Sequence, residues 1–429
     1  MRCFFCIMTV LSFCCTSLVA QVNNVGYDIS FPTKSYFMQG VENSVFFQAI
    51  SRRWHPYDNY VRVSGLEKID YHSDKKVLLS KFSDSDVMQL DLIDGMTFDT
   101  IKTIKSVIKY AEPYTGKGEV SVQFLGDSYT AGNYFKYAFL ESGYVPGIRL
   151  IGTRSVNGYE DHGHEGRGGW TIYKYCTTEK GQYYYNPLCQ PDGGYKYWGS
   201  TAFWRNCFKV KANPKDGEFS LRYYCSNYNL ADYTEDGKRK NPTEMDMMWD
   251  SDAECYIYWS RGKWRKLKDD DLNWKFNYGK YLEMNGFKSP DYLILMFGLN
   301  DFRDGSLNPD FKTWNNTLLE MAKSYHSTNP GGKFVICTPC SSCGVMNNER
   351  GTFTVRQNAV MWEVRKNIID NFDNLEDEGI YVVDASATID NENGYNMKNG
   401  VQTGNPHPYP NYPALGIPIA AFVQYFRNK

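Results

Sequence analysis

The stretch that decides the fold is VSVQFLGDSYT, residues 120–130. Its first six residues are mostly apolar, which predicts a buried strand over residues 120–125 that stops at Gly126. We expect Ser128 at the start of the next helix, over residues 131–142. The amides at a helix start favour negative charge, so a serine there suits a reaction that develops such charge. A lone serine at this place is more often only a helix N-cap.

Outward from this stretch, buried strands alternate with helical patterns. Further strands are predicted at residues 148–151, 292–297, 333–336 and 380–383, and helices at 311–325, 354–372 and 415–425. Such alternation is typical of a parallel sheet covered by helices on both faces. Chemistry in these sheets lies in the loops just past the carboxyl ends of the strands.

The first 118 residues follow other patterns. Residues 1–20 have a basic start, an apolar centre and a small residue before Gln21, which is typical of a cleaved secretory signal. The apolar run is shorter than the roughly 20 residues of a membrane anchor, and no later segment is long and apolar enough to span a membrane. Residues 21–118 contain short β-like runs, which predict a small β-sandwich-like domain. We expect an exported or cell-surface protein.

Composition limits the classes of partner that the protein is expected to bind. The 429 residues carry 47 basic and 49 acidic side chains, so no bulk charge favours binding to nucleic acid or to an anionic membrane. Aromatic residues make up 16%, which suits stacking on flat ligands such as sugar rings. Many lie in residues 172–290, where they form either a substrate platform or the core of an insertion.

The expected export to an oxidising compartment changes what the cysteines predict. Of 12 cysteines, eight follow the signal, namely Cys176, Cys189, Cys207, Cys225, Cys255, Cys337, Cys340 and Cys343. An even number in an exported chain favours disulfides. The run CTPCSSC, residues 337–343, has a spacing that resembles zinc and redox sites, but no fourth ligand stands nearby. A disulfide or buried free thiols are favoured for it.

Two more loops carry groups suited to acyl transfer. The strand predicted at 292–297 is followed by Gly298-Leu299-Asn300-Asp301, and the Asn300 amide is a donor of the kind that stabilises an oxyanion. The run HEGRGGWT, residues 164–171, has glycines that let backbone amides approach a ligand, with Gly169 among them. Taken singly, the first is usually a turn and the second a flexible loop.

A serine nucleophile needs a general base, usually histidine. The chain has six: His55, His72, His162, His164, His326 and His407. The first two fall in the β region, His326 ends a helix on the far side, and two lie in the Gly-rich loop. His407 remains as the best base, between two prolines that stiffen its loop.

Together these blocks resemble the SGNH (GDSL-type) hydrolase superfamily. The resemblance covers residues 119–429 and implies a flavodoxin-like three-layer α/β/α fold with a parallel sheet, preceded here by the small all-β domain. It implies ester hydrolysis through an acyl-serine, with Ser128 as nucleophile and His407 as base. The backbone N–H groups of Ser128 and Gly169 and the side chain of Asn300 would form the oxyanion hole. Asp127 and Asp301 would be structural.

One part departs from the family pattern. An Asp three residues before the base is usual, and Gly404 stands there instead. The acid that orients the histidine is then Asp390 or Glu392 earlier in the loop, or Glu160, Asp161 or Glu165 beside the Gly-rich loop. The remaining alternative is a Ser-His dyad oriented by a backbone carbonyl.

We therefore expect a secreted serine esterase acting on acyl esters, above all O-acetyl esters, of polysaccharides or oligosaccharides. This chemistry requires no metal or organic cofactor. Two alternatives stay open. One is a lipid or general carboxylesterase, which a broad apolar groove beside Ser128 would favour. The other is a non-catalytic carbohydrate-binding protein on a degenerate hydrolase fold, which Gly404 and the aromatic insertion motivate.

Overall fold

A computed structural model of the chain describes residues 26–53, 58–81, 83, 86–178, 184–213, 225, 228, 230–268, 271–302, 309–340, 355–402 and 405–429. The predicted signal sequence, Cys343 and Gly404 lie outside these residues. Among the described residues, no helix has the length and apolar character needed to cross a membrane.

The N-terminal part is rich in strands. Its elements are β1 (Lys34–Met38), β2 (Asn43–Phe46), α1 (Phe47–Ile50), β3 (Asn59–Ser64), β4 (Tyr71–His72), β5 (Lys76–Leu79), β6 (Val87–Asp94) and β7 (Thr100–Ala111). They form two sheets, ordered β1-β7-β6-β3 and β2-β5-β4. Strands such as β5 alternate buried and half-buried residues, as a sheet with one face in a core requires. A separate β-sandwich domain stays a prediction.

The next part carries the decisive stretch and begins the main sheet. Its elements are β8 (Val120–Gly126), α2 (Ser128–Ala131), a π-helical turn (Tyr137–Glu141), β9 (Ile148–Leu150), β10 (Arg154–Val156), β11 (Tyr159–Gly166) and a 3-10 turn (Ile172–Tyr175). The continuous helix predicted over residues 131–142 is wrong. A turn separates α2 from the π-helical turn because Asn133 takes a left-handed φ of 59°.

The insertion has its own strands and helices. They are β12 (Cys189–Pro191), β13 (Lys196–Ser200), α3 (Thr201–Ala212), β14 (Asp246–Asp250), β15 (Cys255–Ser260), β16 (Lys263–Lys266), β17 (Trp274–Phe276) and α4 (Tyr278–Asn285). Most of its aromatic clusters are buried, with Phe203 and Trp204 at most 1% exposed. These rings therefore build a core. A disulfide joins Cys207 and Cys225, while Cys176, Cys189 and Cys255 are free thiols.

The last part completes the sheet. It contains β18 (Tyr292–Met296), α5 (Phe311–His326), β19 (Lys333–Cys337), α6 (Val355–Phe372), β20 (Ile380–Val383), β21 (Met397–Lys398), β22 (Val401–Gln402) and α7 (Tyr412–Arg427), with 3-10 turns at Glu376–Glu378, Ser386–Thr388 and Tyr409–Asn411. Cys337 and Cys340 are buried free thiols. Among the described residues, no group of three His, Cys, Asp or Glu side chains is placed to hold a metal ion.

The main sheet has seven strands in the order β10-β11-β8-β18-β19-β20, with β9 also paired to β8. Every pair is parallel except β10 with β11. The register places Gly126 beside both Gly166 and Met296. The loops that follow β8, β11 and β18 therefore leave one edge of the sheet side by side. This mixed α/β structure contains the predicted parallel sheet, and the three-layer arrangement stays a prediction.

Candidate functional site

The turn after β8 presents Ser128. A Cβ at Gly126 would lie 2.6 Å from the Met296 carbonyl oxygen, so only glycine lets β8 approach β18 this closely. The Asp127 carboxylate caps α2 by accepting a hydrogen bond of 3.0 Å from the Tyr129 backbone N–H. Residues 126, 127, 129 and 130 are buried while Ser128 is partly exposed. Because α2 has four residues, its N–H groups rather than a long helix dipole lie beside the serine.

His407 lies in the connection between β20 and α7. Its Nδ1 is 2.7 Å from the Asn405 Oδ1, and its backbone N–H donates to the same oxygen at 3.0 Å. Nε2 is buried and has no hydrogen-bond partner among the residues that the structure describes. Burial lowers the pKa of His407 from 6.5 to about 4, so the ring is neutral at neutral pH.

Tyr129 joins the serine turn to the histidine loop. Its hydroxyl donates a hydrogen bond of 2.8 Å to the Pro406 carbonyl oxygen. Its ring meets the His407 ring edge-on, with 5.4 Å between the ring centroids. The residues next to Ser128 and His407 are thus in contact, although the two lie 279 positions apart in the chain.

Asn300 joins the other two loops. Its Nδ2 lies 3.2 Å from the Trp170 carbonyl oxygen and 3.4 Å from the Asp127 Oδ2. One amide therefore contacts the residue before Ser128 and the residue after Gly169. Both contacts are long for hydrogen bonds of this type.

Of the two aspartates beside these loops, Asp127 is buried and Asp301 is half-buried, and both are bonded to backbone amides. Asp301 accepts from the backbone N–H groups of Ile172 at 2.8 Å and Gly298 at 3.1 Å, so it ties the β18 loop to the loop after Gly169. Burial raises the pKa of Asp301 to about 6. Burial, with the nearby Asp301 charge, raises the pKa of Asp127 to about 8. Their contacts are those expected of loop-holding residues.

Gly169 takes a left-handed φ of 75°, and a Cβ there would meet nothing within 4 Å. Glycine is therefore favoured at this position by the backbone conformation and not by lack of space. The residue is exposed and lies next to the fully buried Trp170.

A buried ion pair holds the start of this loop. The Arg167 guanidinium donates to the Glu165 carboxylate at 2.6 Å, and both side chains are at most 1% exposed. The same carboxylate accepts from the Thr153 backbone N–H at 2.6 Å and from the Tyr281 hydroxyl at 2.9 Å. The Glu165 carboxylate is therefore already bonded to partners within the core.

Three of the other carboxylates considered as the orienting acid, Asp390, Glu392 and Asp161, also have partners elsewhere. Asp390 accepts from the backbone N–H groups of Glu392 and Asn393 at 2.9 and 3.0 Å. Glu392 pairs with Lys75 of the N-terminal part at 2.5 Å. Asp161 is 3.8 Å from His162. The oxygen that meets the His407 ring belongs instead to Asn405.

His162 and His164 lie in β11, and both bond backbone groups. The Nδ1 of His162 accepts from the Leu150 N–H at 3.2 Å, and that of His164 accepts from the Gly166 N–H at 2.9 Å. Burial, with the charges of Arg154 and Arg167, holds the pKa of His164 well below its usual range.

Sequence reasoning missed Asn405, Tyr129 and Tyr409. The signal for Asn405 was present, because an Asn before a proline commonly bonds the backbone two residues on. Tyr409 stacks on His407 with 5.3 Å between centroids and 22° between planes, and it is 47% exposed.

No protein-family model matches the chain, and no curated protein matches it. Similar solved structures include a carbohydrate esterase family 3 structure from Talaromyces cellulolyticus, at 12% identity over 72% of this chain and 99% of that chain, with a TM-score of 0.34. Another is a family two carbohydrate esterase from Clostridium thermocellum in complex with cellohexaose, at 9% identity over 94% and 97%, with a TM-score of 0.30. Both neighbours are carbohydrate esterases. At TM-scores below 0.5 they carry no argument about substrate or mechanism.

Proposed function

We propose that the protein is an exported serine esterase that hydrolyses small acyl esters, above all O-acetyl esters, on carbohydrate. One observation carries the proposal. A half-buried imidazole with a buried Nε2, kept neutral by desolvation, lies in the loop that Tyr129 bonds to the serine turn. A neutral ring nitrogen without a partner is what a general base for a serine hydroxyl needs.

The reaction proceeds in two halves. Ser128 Oγ attacks the ester carbonyl carbon while His407 Nε2 takes the hydroxyl proton, and the same nitrogen then gives that proton to the departing sugar oxygen. Water attacks the acyl-serine in the second half, again losing its proton to His407. Acetate leaves and the Ser128 hydroxyl is restored.

The tetrahedral intermediates need donors for their oxyanion. The proposed set is the backbone N–H groups of Ser128 and Gly169 and the Asn300 Nδ2. The long contacts of Asn300 to Trp170 and Asp127 support this role, because a weakly bonded amide exchanges partners at small cost.

Carbohydrate is favoured by an aromatic ring beside the base. Tyr409 is half exposed and stacks on His407, and an open aromatic face packs well against the apolar face of a sugar. We assign the sugar-stacking role to Tyr409 rather than to the insertion, because the aromatic clusters of the insertion are mostly buried.

The test is acetate release from a panel of acetylated polysaccharides and from p-nitrophenyl acetate. We expect release by the parent protein and loss of nearly all of it in Ser128→Ala and in His407→Ala. Ser327→Ala is the matched control, since Ser327 is exposed at the far end of α5. Release that survives in Ser128→Ala would overturn the mechanism. Glycan binding without turnover in the folded parent would favour the binding-protein alternative.

A further inference from the structure

The hydrogen bonds around His407 determine which ring nitrogen carries the proton. Asn405 Oδ1 faces two nitrogens, the His407 backbone N at 3.0 Å and the ring Nδ1 at 2.7 Å. A backbone N–H can only donate, so the Asn405 atom that faces it is the amide oxygen and not the NH₂ group. An amide oxygen only accepts, so Nδ1 carries the hydrogen and Nε2 carries the lone pair.

We propose that Asn405 is the positioning residue of the site, a neutral amide that takes the place of the usual triad acid. This inference rests on the proposed esterase function for its catalytic meaning. Its geometry is a property of the loop alone. Asn405 stands two residues before His407, whereas the family acid stands three before, at Gly404.

A neutral amide and a carboxylate beside Nδ1 differ in their effect on the pKa of the histidine. A carboxylate beside Nδ1 stabilises the imidazolium and raises its pKa, whereas an amide fixes the tautomer without adding charge. Among the described residues, the titratable side chains whose rings pack against His407 are those of Tyr129, Tyr409 and Tyr412. Desolvation is accordingly the cause that lowers the pKa of His407. The base should stay neutral in mildly acid solution.

The tautomer is tested directly by nitrogen-15 NMR of the imidazole rings in the full chain, with the His407 signals assigned from a His407→Gln variant. We expect Nδ1 protonated and Nε2 unprotonated at neutral pH. A proton on Nε2 in the parent would overturn the inference, whatever the activity of the protein.

Charge is tested with Asn405→Asp, which adds a carboxylate at Nδ1. We expect the pKa of His407 to rise by about 1 to 3 units, because an opposite charge at this distance favours the charged ring. The acid limb of kcat/KM should move up by the same amount, so that the variant is slower than the parent near pH 5. Asn399→Asp is the matched control, since it adds the same charge at an exposed turn of the same connection. An unmoved pKa in a folded Asn405→Asp protein would overturn the inference.

Asn405→Ala removes the amide altogether. We expect kcat to fall about 10- to 100-fold, the effect of losing one hydrogen bond that holds the ring, with KM little changed. Full activity with an unchanged tautomer in this variant would also overturn the inference. If the parent lacks esterase activity but the NMR results are as expected, the proposed function fails while the positioning of His407 by Asn405 stands.

Discussion

Replacing Asn300 by Ala separates a structural from a chemical role of one side chain. The variant loses the contacts of Nδ2 to Trp170 at 3.2 Å and to Asp127 at 3.4 Å. A typical intramolecular hydrogen bond contributes about 0.5 to 1.5 kcal/mol, and these two are long, so the free energy of unfolding should fall by no more than about 2 kcal/mol. An oxyanion donor contributes more, and its loss should lower kcat about 100- to 1000-fold.

The assay combines urea unfolding with kcat and KM on p-nitrophenyl acetate. Asn367→Ala is the matched control, because Asn367 is a buried amide on α6 that donates to Asn315 Oδ1 at 2.7 Å. It should lose comparable stability and keep its kcat. An Asn300→Ala protein that is folded and turns over at the parent rate would refute the oxyanion assignment.

Three further predictions concern the buried ion pair, the exposed ring and pH. Glu165→Gln leaves the Arg167 guanidinium buried without a counter-charge, so the free energy of unfolding should fall by about 3 to 5 kcal/mol, and an unmoved urea midpoint would contradict this. Tyr409→Ala should raise KM on acetylated glycan while kcat on p-nitrophenyl acetate changes little; an unchanged glycan KM would remove the stacking role. Because the pKa of His407 is lowered to about 4, kcat/KM should hold as the pH falls below 6.5 and decline only near 4, and an acid limb at about 6.5 would contradict it. The stability that its neutral form contributes is present above 6.5 and lost as the pH falls through about 4.

Much of the main sheet could be predicted from local pattern. Strands expected at residues 292–297 and 380–383 are observed as Tyr292–Met296 and Ile380–Val383. They could be predicted because a buried parallel strand is a short apolar run with clear ends. The break in the helix expected over residues 131–142 could not be predicted, since it depends on the left-handed conformation of Asn133 within the packed turn.

The loops of the candidate site show the same division. Ser128, Asn300 and His407 were chosen from the sequence because residue type and position after a strand are local properties. Asn405, whose side chain faces the His407 ring, was not among the candidates that this reasoning left open, which were Asp390, Glu392, Glu160, Asp161, Glu165 and a backbone carbonyl. The Asp390 carboxylate bonds the backbone of its own turn, and Glu392 pairs with Lys75, a contact between parts of the chain that are distant in sequence.

By itself, then, the sequence determined five of the seven strands of the main sheet, the glycines that allow close approach and the residue types that reach the edge of the sheet. Tertiary structure alone decided which rings of the insertion are buried. It also decided that Glu165 forms an ion pair with Arg167 and that the Asn405 amide faces the His407 ring. The physical reason is that burial and hydrogen-bond partnership belong to the folded surroundings of a side chain, which pattern along the chain does not record.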